Sequence, residues 1–139
     1  MTPDEVGLVQ QTFGVVAPEA DAVAALFYSR LFDLDPSLRA MFPADLTEQR
    51  GKLMGMLSVA VGGLSRLDTI VPAVQALGVR HAGYGVTDAQ YDTVGTALLD
   101  TLARGLGDAF TPEVKDAWTS AYTTLATTMM AAARQAATA

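Results

Sequence analysis

Helix-start and helix-stop signals divide this amino-acid sequence into segments of unequal length, and this division constrains the fold most strongly. Thr2-Pro3-Asp4-Glu5 and Thr87-Asp88-Ala89-Gln90 are capping boxes, in which a threonine precedes Glu or Gln by three residues. Thr111-Pro112 marks another start, with proline at the first helical position. No segment alternates between apolar and polar residues with a period of two, and no Asn-Gly or Asp-Gly turn occurs. The sequence therefore predicts an all-α fold.

We expect one domain over residues 1–139, built from seven or so helices. A chain of this length buries about two-thirds of the surface of its unfolded form. The unequal helix lengths and the proline breaks argue against an up-down four-helix bundle, which needs four matched helices. The predicted helices cover about 3–17, 19–34, 35–42, 47–64, 68–82, 87–105 and 111–134, with loops at 43–46 and 106–110 and a fraying tail at 135–139.

Composition and charge argue against several classes of protein. The net charge is −6 and no block of Lys or Arg exists, so neither nucleic acid nor anionic lipid is an expected partner. No apolar run reaches the roughly 20 residues that span a bilayer. The acidic N-terminus lacks a signal segment, and the absence of Cys is compatible with a reducing compartment. We therefore expect a cytoplasmic protein with no membrane partner.

The single histidine, His81, continues an apolar helix stripe. Ile70, Val74, Leu77 and His81 follow the spacing i, i+4, i+7, i+11, and Pro72 is expected in the first turn of that helix. A neutral imidazole facing the interior either bonds a core acceptor or ligates a metal. A zinc site needs three or four protein ligands, whereas haem iron needs one because the porphyrin supplies four. His81 is therefore a core residue or a haem ligand.

Two other polar residues, Tyr28 and Gln49, stand where apolar ones are expected. Gln49 lies one turn before the apolar residue Leu53. Both Tyr and Gln carry donors that suit a partly charged diatomic ligand. Alternatively, a buried Tyr commonly bonds a backbone carbonyl, and a Gln in a first helical turn is commonly solvated. Tyr28 shares its predicted helix face with Ala24, Ala25, Leu31 and Phe32.

The chain resembles the bacterial single-domain globins, which are also similar to the globin half of flavohaemoglobins. The resemblance covers essentially all of the chain and depends on the order and spacing of several short segments. It implies the globin fold, a three-on-three helical sandwich around haem b. The matching segments are 26–32, 35–38, 42–43, 49–54, 77–81, 84–86, 90–91, 94–95, 98–99 and 117–122.

The resemblance also implies roles for individual residues. His81 is similar to the proximal ligand of haem iron, and Tyr28 and Gln49 are similar to the distal pair that contacts a bound gas. Leu53 would then lie over the iron on the distal side. Tyr91 resembles a tyrosine that lies near the proximal histidine.

Further haem contacts follow from the same resemblance, each with a simpler alternative. Phe42 is similar to a ring that packs on the porphyrin, and its alternative is a core Phe. Lys52 and Arg80 are placed where they could meet the haem propionates, but both could be solvated, and such pairs contribute little. Packing roles are expected for Trp118, Tyr122, Met129 and Met130.

One departure from the family concerns the proximal side. Flavohaemoglobins pair the proximal His with a Tyr and with a Glu near the end of the last helix. Here no acid follows Asp116, and the nearest candidate positions are Ala133, Arg134 and Gln135. We therefore expect the His81 N–H to bond a backbone carbonyl, such as that of Leu77 one turn earlier, so that His81 remains a neutral imidazole.

The predicted function is reversible O2 binding at a five-coordinate ferrous haem, for storage, delivery, transport or scavenging. NO and CO are expected as further ligands, and the chain is expected to be a monomer or homodimer. No flavin or nicotinamide domain is visible, so we do not expect a self-sufficient enzyme. The alternatives are a nitric-oxide dioxygenase or weak peroxidase with a separate reductase, a haem-based redox or gas sensor, and an all-α core without haem.

Overall fold

Six α-helices make up most of residues 1–138, the part of the chain that the computed structural model describes. They are α1 (Pro3–Val16), α2 (Ala20–Leu34), α3 (Thr47–Gly62), α4 (Leu67–Gly83), α5 (Asp88–Leu106) and α6 (Pro112–Thr138). Short 3-10 turns cover Ala17–Glu19, Pro36–Met41, Leu64–Arg66 and Gly107–Ala109. These 138 residues contain no strand, which confirms the predicted all-α class.

The helix starts agree with the signals in the sequence. The Thr2 hydroxyl accepts from the Glu5 N–H at 3.2 Å, and the Glu5 carboxylate accepts from the Thr2 N–H at 2.9 Å. Thr87 and Gln90 make the same reciprocal pair at the start of α5. Both predicted capping boxes are therefore confirmed. Each satisfies backbone donors that the first turn leaves without helical partners.

Three local expectations are wrong, and the first two concern where helices begin and end. The 3-10 turn Leu64–Arg66 runs directly into α4, so α4 begins at Leu67 and Pro72 lies in its second turn, inside the helix. The helix α6 continues to Thr138 instead of fraying from 135, and Arg134 ties this end to Asp88 of α5 at 3.0 Å. Ala139 lies outside the described residues.

The third concerns the inward face of α2. Ala25 is exposed, because the buried residues of this helix are Ala24, Phe27, Tyr28 and Leu31, at i, i+3, i+4 and i+7. Such spacing keeps side chains on one helix face, and Ala25 lies outside it. The face still presents Tyr28 to the interior, as expected.

The helices pack mainly in three pairs, α4 with α6, α2 with α5, and α1 with α6. Trp118 of α6 lies in the core at 2% exposure, and its indole N–H donates to the Thr12 hydroxyl of α1 at 2.8 Å. This bond satisfies a buried donor that would otherwise cost free energy. The expected packing role of Trp118 is confirmed, and α6 serves as the element against which both α1 and α4 are placed.

No single helix within residues 1–138 is long and apolar enough to cross a membrane. The pair Thr47–Gly62 and Leu64–Gly83 reaches the required length and hydropathy only together, and it is bent by 49° at the break.

The crossing of α4 and α6 leaves no room at Gly78. A Cβ added there would overlap the Met129 carbonyl oxygen and lie 2.6 Å from the Met129 Cα. Backbone atoms cannot turn aside as a side chain can, so a larger residue must push the helices apart. His81 lies three residues further along α4, so this crossing also sets the position of the imidazole.

Gly78→Ala is therefore expected to lower the free energy of unfolding by roughly 1–3 kcal/mol, the usual cost of overpacking. Gly14→Ala in α1 is the matched control, because nothing lies within 4 Å of its added Cβ. The control should be neutral or stabilising by roughly 0.4–1 kcal/mol, since Ala restricts the unfolded chain. Denaturant unfolding of the haem-free proteins measures both, and equal changes in the two variants would contradict the packing argument.

Candidate functional site

An apolar cavity lies between the helices, and among residues 1–138 His81 is the one nitrogen-bearing side chain that lines it. Four residues proposed from the sequence line this cavity, namely Leu53, Leu77, His81 and Tyr91. Twelve more were not singled out as cavity residues, because nothing in the sequence separates them from ordinary core positions. They are Phe27, Met56, Leu57, Ala60, Val74, Val86, Val94, Leu98, Tyr122, Leu125, Ala126 and Met129.

The hydrogen bond of His81 determines which ring nitrogen is available. Its Nδ1 lies 2.8 Å from the carbonyl oxygen of Leu77, which confirms the expected local partner. A carbonyl can only accept, so Nδ1 carries the proton and Nε2 carries the lone pair. Burial lowers the pKa of His81, the bond to Leu77 partly raises it, and the nearby charge of Arg80 lowers it. His81 is therefore a neutral imidazole at neutral pH with one nitrogen able to coordinate.

Two tyrosine rings lie near the imidazole, the exposed Tyr84, with its ring centroid 6.1 Å away, and the buried Tyr91. The ring centroid of Tyr91 lies 6.4 Å from that of His81, and its buried hydroxyl has no hydrogen-bond partner within residues 1–138. Burial, and next the charge of Asp88, raises the pKa of Tyr91, so the hydroxyl stays protonated. The Tyr122 hydroxyl donates to the Tyr91 carbonyl at 2.6 Å, which holds α5 against α6. No carboxylate bonds His81 in the described residues, as the lack of acids after Asp116 suggests.

Tyr28 and Gln49 meet beside the cavity wall. The Gln49 Nε2 donates to the Tyr28 hydroxyl oxygen at 3.2 Å, and Tyr28 is only 4% exposed. The Tyr28 ring contacts Phe27, a cavity residue, with centroids 5.1 Å apart, and Gln49 is one turn from Leu53. Gln49 is thus half-buried and bonded to Tyr28 instead of fully solvated, and its proposed contact with a bound gas stays a prediction.

The hydroxyl of Tyr28 keeps its proton available. Burial raises its pKa, and the bond from Gln49 lowers it in part. Because the oxygen accepts from Gln49, its own hydrogen can be donated to another group, and none of the described residues accepts it. The arrangement can therefore hold a polar ligand by one directed hydrogen bond.

Besides Tyr28 and Gln49, three further residues proposed from the sequence do not line the cavity, namely Phe42, Lys52 and Arg80. Phe42 packs against Tyr28 with ring centroids 5.5 Å apart, behind the wall. The ammonium of Lys52 lies 3.4 Å from the Glu48 carboxylate, and its side chain is 66% exposed. Arg80 is exposed on α4. Their proposed haem contacts stay predictions.

The donors present match a particular class of metal group. Among the described residues no three His, Cys, Asp or Glu side chains come together to hold a metal ion. One imidazole nitrogen in an apolar cavity instead matches a metal that brings its remaining ligands with it, as a metalloporphyrin does.

Comparison with known proteins agrees with this class. The family model described as Globin matches residues 25–129, which include Tyr28, Gln49 and His81. The Bacillus subtilis flavohemoprotein is 30% identical over 122 residues, covering 86% of this chain and 31% of that protein. The Bordetella parapertussis flavohemoprotein is 32% identical over 130 residues, covering 91% of this chain and 32% of that protein. The chain thus spans about a third of the length of these relatives.

Solved structures share the fold. A bacterial globin from Campylobacter jejuni superposes with a TM-score of 0.88 at 19% identity, covering 99% of this chain and 100% of that one. A flavohemoglobin from Malassezia yamatoensis, with bound FAD and heme, gives a TM-score of 0.81 at 24% identity, covering 97% of this chain and 37% of that one. At these identities the likeness establishes the globin fold, which confirms the predicted architecture.

Proposed function

Because this chain belongs to the globin family, we propose that it is a haem protein that binds a diatomic gas reversibly, and that O2 is the ligand it is suited to hold. The observation that carries the proposal is a neutral imidazole on one wall of an apolar cavity with a hydrogen-bond donor pair beside another. When bound, haem iron supplies the coordination site for the gas.

His81 is the residue that would hold the haem. Its Nε2 is the coordinating atom, because Nδ1 is occupied by the bond to Leu77. That bond also fixes the orientation of the ring, as partners of metal-ligating histidines generally do. The apolar side chains of Leu53, Leu77 and Val74 supply a surface for the porphyrin.

Tyr28 and Gln49 are the residues that would favour O2 over CO. The Tyr28 hydroxyl can donate to a ligand that draws negative charge onto itself, and such a charge-assisted bond contributes roughly 1.5–3 kcal/mol. Gln49 orients the hydroxyl by donating to its oxygen. CO draws little charge, so it gains little from the same donor. Phe27 and Leu53 keep water from the ligand by lining the wall with apolar surface.

A second candidate is nitric-oxide dioxygenation with a separate reductase. It is favoured by the match to a third of each flavohemoprotein and by the FAD in the Malassezia flavohemoglobin. The reaction joins nitric oxide and O2 to give nitrate and consumes one electron, which an external donor would have to supply. Nitrate production with a reductase, measured beside the equilibrium O2 affinity, distinguishes this candidate from simple O2 binding.

The visible spectrum of the purified protein tests the proposal. One haem per chain is expected, with a Soret band that shifts on reduction and again on addition of CO. The ferrous protein should also take up O2 and release it when the gas is removed. A protein that stays colourless after reconstitution with haem would refute the proposal.

The missing proximal carboxylate leads to a further expectation. Among the described residues the hydrogen-bond partner of His81 is the Leu77 carbonyl and no carboxylate, so His81 should donate weakly to iron. The iron–histidine stretch in the resonance Raman spectrum should then lie in the neutral-imidazole range, and peroxidase turnover should be low. A stretch at the imidazolate end in the unmodified protein would overturn this.

Ala133→Glu should raise both the stretching frequency and the peroxidase rate. Of the three positions that the sequence suggests, 133 continues the inward face of α6 that includes Tyr122, Ala126 and Met129, whereas Arg134 and Gln135 are exposed. Gln135→Glu is therefore the matched control and should change neither quantity. If the two variants behave alike, the effect comes from general charge and not from contact with His81.

A further inference from the structure

We propose that Arg39 is the positioning residue of the Tyr28–Gln49 pair, holding the connection between the 3-10 turn Pro36–Met41 and α3. This rests on the proposed function, since the pair acts on a gas ligand. Arg39 touches neither the cavity nor the hydrogen bond of the pair. It would act through the backbone of residues 42–46 and through two phenylalanine rings.

The guanidinium of Arg39 bonds three consecutive carbonyl groups. Its Nη1 donates to the Pro43 oxygen at 2.9 Å and to the Phe42 oxygen at 3.3 Å, and its Nη2 donates to the Ala44 oxygen at 2.9 Å. These carbonyls follow the turn and precede α3, so no helix partner serves them. Only a planar fork of several N–H groups reaches three acceptors in this way, because a Lys ammonium is a single point on a flexible stem.

The same guanidinium packs on the aromatic cluster around Tyr28. The Arg39 Cζ lies 5.3 Å from the centroid of the Phe32 ring, within the range of a cation–π contact. Phe32 and Phe42 are 5.6 Å apart, and they lie 6.0 and 5.5 Å from the Tyr28 ring. Arg39 thus fixes the backbone of Phe42 and one face of Phe32, and these two rings in turn confine the phenol.

The connection also leads directly to Gln49. After the Ala44 carbonyl, the Asp45 carboxylate accepts from the Thr47 N–H at 3.0 Å and from its hydroxyl at 2.7 Å, which begins α3. Gln49 is two residues further, in the first turn. The start of α3 therefore depends on where residues 42–44 are held, and the reach of Gln49 to Tyr28 depends on the start of α3.

Arg39 differs from the other bonded arginines in what it contacts. Within residues 1–138 it makes no ion pair, whereas Arg30, Arg50 and Arg134 pair with Asp100, Asp21 and Asp88. In the same residues its hydrogen bonds go to backbone oxygens, and its cation–π contact is with the Phe32 ring. A surface charge pair would be interchangeable with Lys, but this contact depends on the geometry of the guanidinium.

The test compares Arg39→Lys with Arg104→Lys, an exposed arginine of α5, in the haem-loaded protein. Arg39→Lys should speed O2 release roughly three- to tenfold, as expected when one hydrogen bond is misplaced. CO release should change much less, and Arg104→Lys should change neither rate. In a Tyr28→Phe background the effect of Arg39→Lys on O2 should disappear, because Arg39 acts through that hydroxyl. An equal effect in both backgrounds, or none in either, would overturn the proposal.

Hydrogen–deuterium exchange of the haem-free chain tests, without any gas, whether Arg39 holds the backbone of residues 42–44. Exchange over residues 42–50 should be faster in Arg39→Lys than in the unmodified protein, with no change in α5 or α6. Unchanged exchange over this segment would overturn the proposal even if gas binding is as expected. Failure of the unmodified chain to bind haem would instead refute the proposed function, and the exchange result would be read independently of it.

Discussion

Replacing His81 with Ala is expected to give a protein that loses haem on gel filtration. The chain has one His and no Cys, and the imidazole is the one strong nitrogen ligand on the cavity wall. Without it the porphyrin would lose the iron–nitrogen bond that fixes it and would depend mainly on the apolar side chains of the cavity. Haem stoichiometry, measured by the pyridine haemochrome spectrum after desalting, should fall from about one per chain to a small fraction.

A control variant and a rescue experiment make this result specific. Val79→Ala, at a 42% exposed position two residues earlier on α4, should keep its haem. Added imidazole should restore a histidine-like ferrous spectrum to His81→Ala, because the small ligand can occupy the space that the side chain leaves. Full haem content and an unchanged ferrous spectrum without imidazole would exclude His81 as the iron ligand. The loss of haem should also lower the melting temperature, since a ligand that binds the folded state stabilises it.

Tyr28→Phe is expected to speed O2 release by roughly one to two orders of magnitude, the effect of one charge-assisted hydrogen bond. The ring and its contacts with Phe27, Phe32 and Phe42 are kept, so the change removes the hydroxyl and little else. CO release should change far less. Stopped-flow measurement of both gases separates the two outcomes, and equal acceleration would indicate a steric role.

Gln49 and an exposed tyrosine supply the comparisons for this experiment. Tyr84→Phe removes a hydroxyl from a side chain that is 68% exposed but keeps the ring that lies 6.1 Å from that of His81, so it should leave O2 release unchanged. If Gln49 only orients Tyr28, Gln49→Leu should have no further effect once Tyr28 is Phe. If Gln49 also donates to the ligand, the double variant should release O2 faster than Tyr28→Phe alone.

The sequence by itself determined the features that depend on residues within one helical turn. The capping boxes at Thr2 and Thr87 are bonds between residues three apart, and both are present. The bond from His81 to Leu77 spans four residues, and it was predicted from the lack of an acid after Asp116 together with the position of Leu77 one turn earlier. The family resemblance also followed from the order of short segments. Those local signals were sufficient for the all-α class and for the choice of His81.

Only the tertiary structure decided which side chains meet across helices. The resemblance had already placed Tyr28 and Gln49 in one pair, but the direct bond between them joins residues 21 apart and is seen only in the fold. The bond of Trp118 to Thr12 joins residues 106 apart. The apolar residues of the cavity wall look like core residues in the sequence, because burial against a neighbour and burial around a cavity require the same side chains. The extension of α6 to Thr138 likewise accompanies the contact of Arg134 with Asp88 on another helix.

Arg39 also makes contacts that the sequence does not predict, although its partners are close to it in the sequence. Its three acceptors are only three to five residues away, yet nothing in the sequence distinguishes it from a solvated arginine. The contact depends on the path of the backbone after the 3-10 turn and on the ring of Phe32, which α2 supplies. A periodic pattern indicates which face of an element is buried, but the meeting of a side chain with carbonyl groups in an irregular connection is decided by the packing of the elements on either side.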